Sequence, residues 1–483
     1  MDNTLILSPD GKVLKGVRDK SITSVIVPDG VTEIGNHAFE GCTSLTSIDI
    51  PNSVKKIGNH AFEGCTSLVS ILIPESVTEI EHVAFGGCTS LQSIDIPDSV
   101  TKIGMGAFSE TKWLEERPKG LVIINDILYS CTDIDATNIN IPDSVTKIGE
   151  GAFIGCTSLA NIDIPDSVTE IEVFTFRGCT SLQSIDIPNS VTKIKGGAFA
   201  HCTSLVSIDI PNSVTGIGGQ AFYGCTSLTS IDIPNSVTEI GGDAFLGCTS
   251  LTSIAIPNSV KEIGWQAFYG CTSLKSVDIP NSVTKIGGSA FEGCISLTSI
   301  DIPNSVIEIG WQAFYGCTSL TSIDIPNSVT KIRVRVLGIC SSLKRMVVSP
   351  DNPIFYVRDG VLYERINEHQ TKLKYVTPAC CKKRLDENVR IIAEHAFSDA
   401  KGLEFVVLDG VMKIERDAFS CCSTIKEIHC RTKEEIEKMD ISETAFNDQQ
   451  YNYCVLYVPS GTRWSYRHHP VWGKFKNIEI EKL

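Results

Sequence analysis

The sequence predicts a repeat solenoid built mostly of short parallel β-strands and turns. Three observations predict it. Proline recurs every 23 residues at Pro28, Pro51, Pro74 and Pro97, and again from Pro142 through Pro165 to Pro326, with one 45-residue step between Pro97 and Pro142. Phenylalanine keeps the same period from Phe39 to Phe108 and from Phe153 to Phe314. Cysteine keeps it at Cys42, Cys65 and Cys88 and from Cys156 to Cys340. Three residue types locked to one period outweigh the length prior, by which 483 residues would make about three domains.

The unit running from Cys225 (CTSLTSIDIPNSVTEIGGDAFLG) to Gly247 shows the physics. Leu228, Ile231 and Ile233 put apolar side chains on one face of a short strand, ended by Pro234, which cannot donate to a ladder. Pro-Asn-Ser is turn chemistry, because Asn bonds its own backbone. Val237, Ile240, Ala244 and Phe245 supply a second apolar side, and Gly247 permits the next corner. No unit buries these residues alone. Stacked units place Leu on Leu and Phe on Phe at about 4.8 Å per coil.

The pattern L-x-x-I-x-I-P…V-x-x-I-G-x-x-A-F-x-x-C resembles the leucine-rich repeats of the BspA type, known from bacterial surface proteins and some parasitic protists. The likeness covers nearly the whole chain. It implies a right-handed leucine-rich-repeat superhelix with β-hairpin insertions and a C-terminal α/β cap. It also implies a cell-surface or secreted protein, since members with a proposed role are mostly adhesins or host-interaction proteins. Many of them carry an export signal. The N-terminus here, MDNTLILSPDGK, shows neither the basic n-region nor the apolar h-region of one, so the sequence by itself reads as cytoplasmic.

Along the chain, residues 1–27 read as N-terminal capping strands and 28–348 as the repeats, with a rewritten coil at 109–140. In that coil Thr111 and Gly120 stand in the Cys and Pro slots, and Leu121 to Ser130 reads as two strands around Asn125-Asp126. Asn-Asp is a poorer turn than Asn-Gly. Residues 349–384 read as a strand insertion, punctuated at Asp359-Gly360 and Asn367–Gln370. Degenerate repeats follow at 385–430, and residues 431–483 form the cap. Within the cap, RTKEEIEKM is a short helix candidate, Cys454-VLYVP and Asn477-IEI are strands, and Trp464, Tyr466, Trp472 and Phe475 are expected to cover the last open core face.

A net charge of −15 disfavours tracking a phosphate backbone, so no nucleic-acid partner is expected. No apolar run approaches the ~20 residues of a membrane span. No phosphate loop, G-x-S-x-G or H-E-x-x-H is present, which points away from an enzyme, and neither cofactor nor metal is expected. The chain is expected to be a monomer.

Repeated slots generate most apparent chemistry. Twelve of the nineteen cysteines share one slot and read as a buried, reduced ladder. Cys380-Cys381 and Cys421-Cys422 with His429-Cys430 lack the C-x2–4-C spacing of a zinc site. His37 and His60 lie 23 apart and should stack, and His468-His469 falls in the cap. Asp49, Asp95, Asp163, Asp186, Asp209, Asp232, Asp278, Asp301 and Asp324 sit between the two strand isoleucines and point outward. Like charges about 5 Å apart repel, so this ladder either holds weakly bound cations, with Asp186, Asp209, Asp232, Asp278, Asp301 and Asp324 as the candidate array, or is a solvated edge that keeps the solenoid soluble. The Glu/Lys slot that runs Glu33, Lys56, Glu79, Lys102 and resumes at Lys147 mostly alternates in sign and should form cross-strand pairs.

Specificity in a repeat protein lies where units differ. Three coils depart: GGQAFYG at Gly218, and GWQAFYG at Gly264 and Gly310. Trp265, Gln266, Tyr269, Trp311, Gln312 and Tyr315, with Tyr223, are the candidate contact patch, because exposed aromatics dominate interface energetics. The functional reading is a non-enzymatic binding protein that recognises protein or glycan, in adhesion or host interaction. An intracellular protein–protein interaction scaffold is the alternative.

Overall fold

The computed structural model describes residues 4–378, 380, 384–433 and 435–481. The fold is a β-solenoid with mostly short strands and few helices. The chain divides into two compact units, Met1–Cys202 and Thr203–Leu483.

The first unit opens with Leu5–Leu7 antiparallel to Val13–Val17, and Val13–Val17 then templates a parallel ladder through Glu33–Ile34, Lys56–Ile57, Glu79–Ile80 and Lys102–Ile103. A second ladder pairs Ser24–Ile26 with Ser47–Asp49, and Ser70–Leu72 with Ser93–Asp95. Inside, Phe39, Phe62, Phe85 and Phe108 stack at centroid spacings of 5.1, 5.1 and 5.8 Å, all fully buried. Ring pairs of this kind contribute about 0.5–1.5 kcal/mol beyond the area they bury.

The corner around the repeat Phe carries its own backbone ladder. His37 N–H donates to Asn59 O at 2.9 Å, Phe39 to Ala61 at 2.7 Å and Gly41 to Glu63 at 2.7 Å. The chain turns there by placing the residue two before Phe in the left-handed region. His37 (φ 60°), His60, Gln220, Asp243, Gln266, Ser289 and Gln312 all adopt it, followed in most coils by a glycine such as Gly41 (φ 68°). A non-glycine residue gives up roughly 1 kcal/mol to sit there, and the three bonds to the next coil offset it.

The rewritten coil is a hairpin, as its sequence predicts: Leu121–Ile124 runs antiparallel to Ile127–Cys131. Its weak turn has outside help. Asn125 sits at φ 56°, and its amide donates to Pro97 O (3.1 Å) and Val100 O (3.3 Å) of the preceding coil. A short helix, Lys112–Glu115, capped by Thr111, brings Trp113 against Phe108.

In the second unit a parallel ladder runs Gly216–Ile217, Glu239–Ile240, Glu262–Ile263, Lys285–Ile286, Glu308–Ile309 and Lys331–Ile332. The expected three-segment insertion is a meander of Phe355–Arg358, Val361–Asn367 and Gln370–Val376. Asn352 repeats the device of Asn125, donating to Pro326 O (2.9 Å) and Val329 O (3.0 Å). The last meander strand pairs in parallel with Val389–Ile392, which continues to Lys413–Ile414 and Asp440–Ile441. The strands Phe405–Leu408, Glu427–Cys430, Val455–Val458 and Asn477–Ile480 form the other terminal ladder.

Two expectations for the C-terminal segment need correction. The described residues of RTKEEIEKM form a 3₁₀ turn at Ile436–Lys438 in place of the helix, because Glu435 sits in the left-handed region (φ 58°) and the strand Asp440–Ile441 follows at once. Tyr466, Trp472 and Phe475 are fully buried as expected, but Trp464 is 71 % exposed. The helix Arg463–His468 turns Tyr466 inward, so Trp464, two residues earlier, faces away and stacks on His468 at 4.1 Å.

Candidate binding surface

Trp265 and Trp311 open the Phe corner of their coils. Their carbonyls accept Asp243 N–H (2.8 Å) and Ser289 N–H (2.7 Å), which fixes the backbone beneath each indole. The side chains stay 47 % and 45 % exposed. Ring-stacking steps of 5.4 and 5.7 Å, from Phe268 to Phe291 to Phe314, separate the two coils. The intervening coil has Gly288 in the tryptophan slot, and a Cβ there would lie 2.5 Å from Trp311 Nε1. The indole therefore lies across the glycine. Gln266 and Gln312 are the left-handed residues of their corners, at φ 51° and 54°.

The tyrosines differ from the tryptophans. Tyr223, Tyr269 and Tyr315 are all half-buried. Tyr315 lies over the next coil, where a Cβ on Gly338 would meet its ring at 2.6 Å. Its hydroxyl accepts from Arg335 Nη2 at 3.0 Å, and the guanidinium sits 4.7 Å from the ring centre. Tyr315 is thus drawn off the tryptophan strip.

All nine ladder aspartates are exposed. Asp324 pairs with Arg345 at 3.2 Å. The alternating slot forms the expected cross-strand pairs, among them Lys56–Glu79 at 3.5 Å, Lys285–Glu262 at 3.4 Å and Lys331–Glu308 at 3.1 Å. All twelve slot cysteines are buried and unbridged. His37 and His60 stack at 4.8 Å, each held by a glutamate three residues on, Glu40 and Glu63. Cys380 is buried, and Cys381 lies outside the described residues. His469 is buried, its Nδ1 accepting from Val471 and Trp472 N–H, whereas His468 is exposed.

A family model described as "BspA type Leucine rich repeat region (6 copies)" matches residues 17–119, 122–252, 238–356 and 379–458. The chain belongs to this family. Among solved structures, the BspA-type chain is similar to a leucine-rich repeat protein from Bacteroides ovatus at 28 % identity and TM-score 0.43, covering 95 % of this chain and 98 % of that one. It is similar to a leucine rich cell surface protein from Faecalibacterium prausnitzii at 29 % identity and TM-score 0.35, covering 72 % and 94 %. A leucine-rich repeat protein from Eubacterium ventriosum matches at 23 % identity and TM-score 0.45, covering 70 % and 93 %. No curated protein matches the chain.

Within the BspA-type coils, reading the sequence missed two groups of residues. Glu81 and Glu172 stand where most coils have glycine or lysine, and both are buried. Glu81 takes Lys56 at 2.8 Å and Lys102 at 3.0 Å, from the coils before and after. Burial works against its charge, but the two lysines outweigh it and hold the carboxyl down to about 2. Lys195 serves Glu172 in the same way at 2.9 Å. Ile26 and Leu72 occupy the aspartate slot and are 74 % and 69 % exposed. Aligning the units shows both substitutions; the aspartate slot already reads as outward, whereas the burial of Glu81 and Glu172 is visible only in the structure.

Proposed function

We propose that this BspA-type solenoid is a non-enzymatic binding protein that recognises a protein or glycan, in adhesion or host interaction, with Trp265 and Trp311 as the main contacts. The observation that carries the reading is the half-exposed indole pair on a backbone pinned to neighbouring coils. Such aromatics lose little conformational entropy on contact and stack on sugar rings or fill apolar pockets. The exposed aspartates flanking the strand ladder steer a cationic partner and set salt dependence more than affinity. The family resemblance supports adhesion. A second reading, an intracellular interaction scaffold, draws on the free thiols, and protease shaving of intact native cells separates the two.

The test of the surface is the double substitution Trp265→Ala with Trp311→Ala. Thermal unfolding should shift by no more than about 2 °C, since surface changes usually cost under ~0.5 kcal/mol. Adhesion to host cells or matrix proteins should weaken by about tenfold or more, the loss of one hot spot. Unchanged adhesion alongside an unchanged melting curve discards the patch.

A further inference from the structure

Both insertions open the stack, and they fill the gap differently. At the first, the Tyr129 hydroxyl accepts the Phe108 N–H at 2.9 Å, and Trp113 and Tyr129 pack on the Phe108 ring at 5.0 and 5.4 Å. At the second, the Tyr375 hydroxyl donates to Leu337 O at 2.9 Å, and the Asp399 carboxylate takes the Ile339 N–H at 2.8 Å. Tyr129 and Asp399 stand where, in regular coils, the next coil's carbonyls accept, and Tyr375 stands where the next coil's slot cysteine donates. Here the Phe slot holds the smaller Leu337, and among the described residues no helix precedes the meander to supply a counterpart of Trp113. The result is a cavity of about 270 Å³ between coil 331–340, the meander and coil 393–399.

Its walls are apolar, from Ile323, Ile325, Val336 and Leu362 among others, but three polar atoms at its lining are buried with no hydrogen-bond partner among the described residues: Arg335 Nε, His395 Nδ1 and Ser398 Oγ. Native proteins rarely leave even one such atom orphaned, because each costs roughly 1–3 kcal/mol. Three other cations on the lining are paired, while Lys401 is exposed at its edge. Arg333 holds Glu308 at 2.8 Å, Lys372 holds Glu415 at 2.6 Å and Lys374 holds Glu364 at 3.3 Å. Among the described residues Arg335 has no carboxylate within 4 Å, and the one polar contact of its guanidinium is the Tyr315 hydroxyl. Burial also pushes the Asp399 carboxyl above its ordinary range.

We propose that this cavity binds a small monocarboxylate with an apolar body, its carboxylate on Arg335 Nε and Ser398 Oγ and its body against the isoleucine wall. A planar guanidinium matches a carboxylate fork. A phosphate dianion fits poorly, because Glu394, Asp399 and Glu415 also line the site. His395 Nδ1 gives the bound oxygens a further donor in the tautomer that protonates it.

The full-length protein is titrated with benzoate, and with benzyl alcohol as its uncharged counterpart. Benzoate should bind saturably at one site and at least about tenfold more tightly than the alcohol, the worth of one charge-assisted hydrogen bond. Cys421, an exposed thiol on the cavity lining, should react more slowly with N-ethylmaleimide when benzoate is bound. Arg335→Gln should weaken benzoate about tenfold and leave benzyl alcohol unaffected. Ser398→Ala, a smaller change that serves if the arginine variant misfolds, should weaken it several-fold. Equal binding of the two probes, or no saturable benzoate binding, overturns the proposal. The Trp265→Ala, Trp311→Ala protein should bind benzoate normally, so failure of the surface reading and failure of the cavity are told apart.

Discussion

The Cys65 thiol donates to the carbonyl of Phe39, in the coil before it, at 3.2 Å. The same bond recurs from Cys88 to Phe62 at 3.0 Å, and on through Cys340 to Phe314 at 3.1 Å. The slot cysteine is therefore a coil-to-coil donor as well as filler, which explains why a small apolar thiol suits the position. Burial pushes the Cys271 and Cys317 thiols up to about 12, so neither forms a thiolate at neutral pH.

Thiol accessibility follows from this geometry. A bulky maleimide should modify Cys421 quickly in the native protein and the slot cysteines only on unfolding, when all nineteen titrate. A disulfide between slot neighbours such as Cys248 and Cys271, found by mass spectrometry, would overturn it.

Glu81 makes the first unit sensitive to acid. Its folded value, about 2, lies below its ordinary 4.5, so its contribution is complete above pH 4.5 and is lost as pH falls towards 2. With Lys56 and Lys102 half in solvent, the gain is on the order of 1 kcal/mol. Glu81→Gln should lower stability by that amount at pH 7 and by almost nothing at pH 2, read by urea unfolding at the two pH values.

Asn352 anchors the second insertion with four bonds. Besides its two donations, its Oδ1 accepts from Ile354 N–H at 2.9 Å and Phe355 N–H at 2.7 Å. The side chain is buried, so Asn352→Ala strands several backbone groups and should cost about 2–4 kcal/mol in denaturant unfolding. Asn352→Asp should be no better, since a carboxylate cannot donate to Pro326 O and Val329 O. A loss under ~0.5 kcal/mol in both would mean the meander holds itself.

Gly288→Ala probes the tryptophan strip without touching it. The added Cβ collides with the five-membered ring of the Trp311 indole, on a side chain that can swing away, and no other heavy atom is among its nearest three. Tryptophan emission should shift while the melting temperature moves by no more than about 2 °C. An unchanged spectrum would place the indole elsewhere.

Much of this architecture was legible in the residues. The 23-residue period reports which side chains face inward, because a solenoid is stable only when each coil's apolar faces meet the same faces above and below. That logic identified the Leu, Phe and Cys ladders, the two places where insertions break them, and the need for a terminal cover, which Tyr466, Trp472 and Phe475 supply. It failed at Trp464 because a short helix set the direction of each aromatic, and the repeat period said nothing there.

What only the tertiary structure decided has one physical origin. The left-handed corner is a backbone property shared by His37, Gln220, Asp243 and Ser289, residues with no chemistry in common, so no residue type marks it. The cavity beside Arg335 depends on where the meander lands, which brings Ile339 against Asp399, sixty positions later. Repetition determines the contacts between like coils. Where an insertion breaks the repetition, the contacts depend on how far apart the two unlike coils are held, and that distance is written in no single unit of the chain.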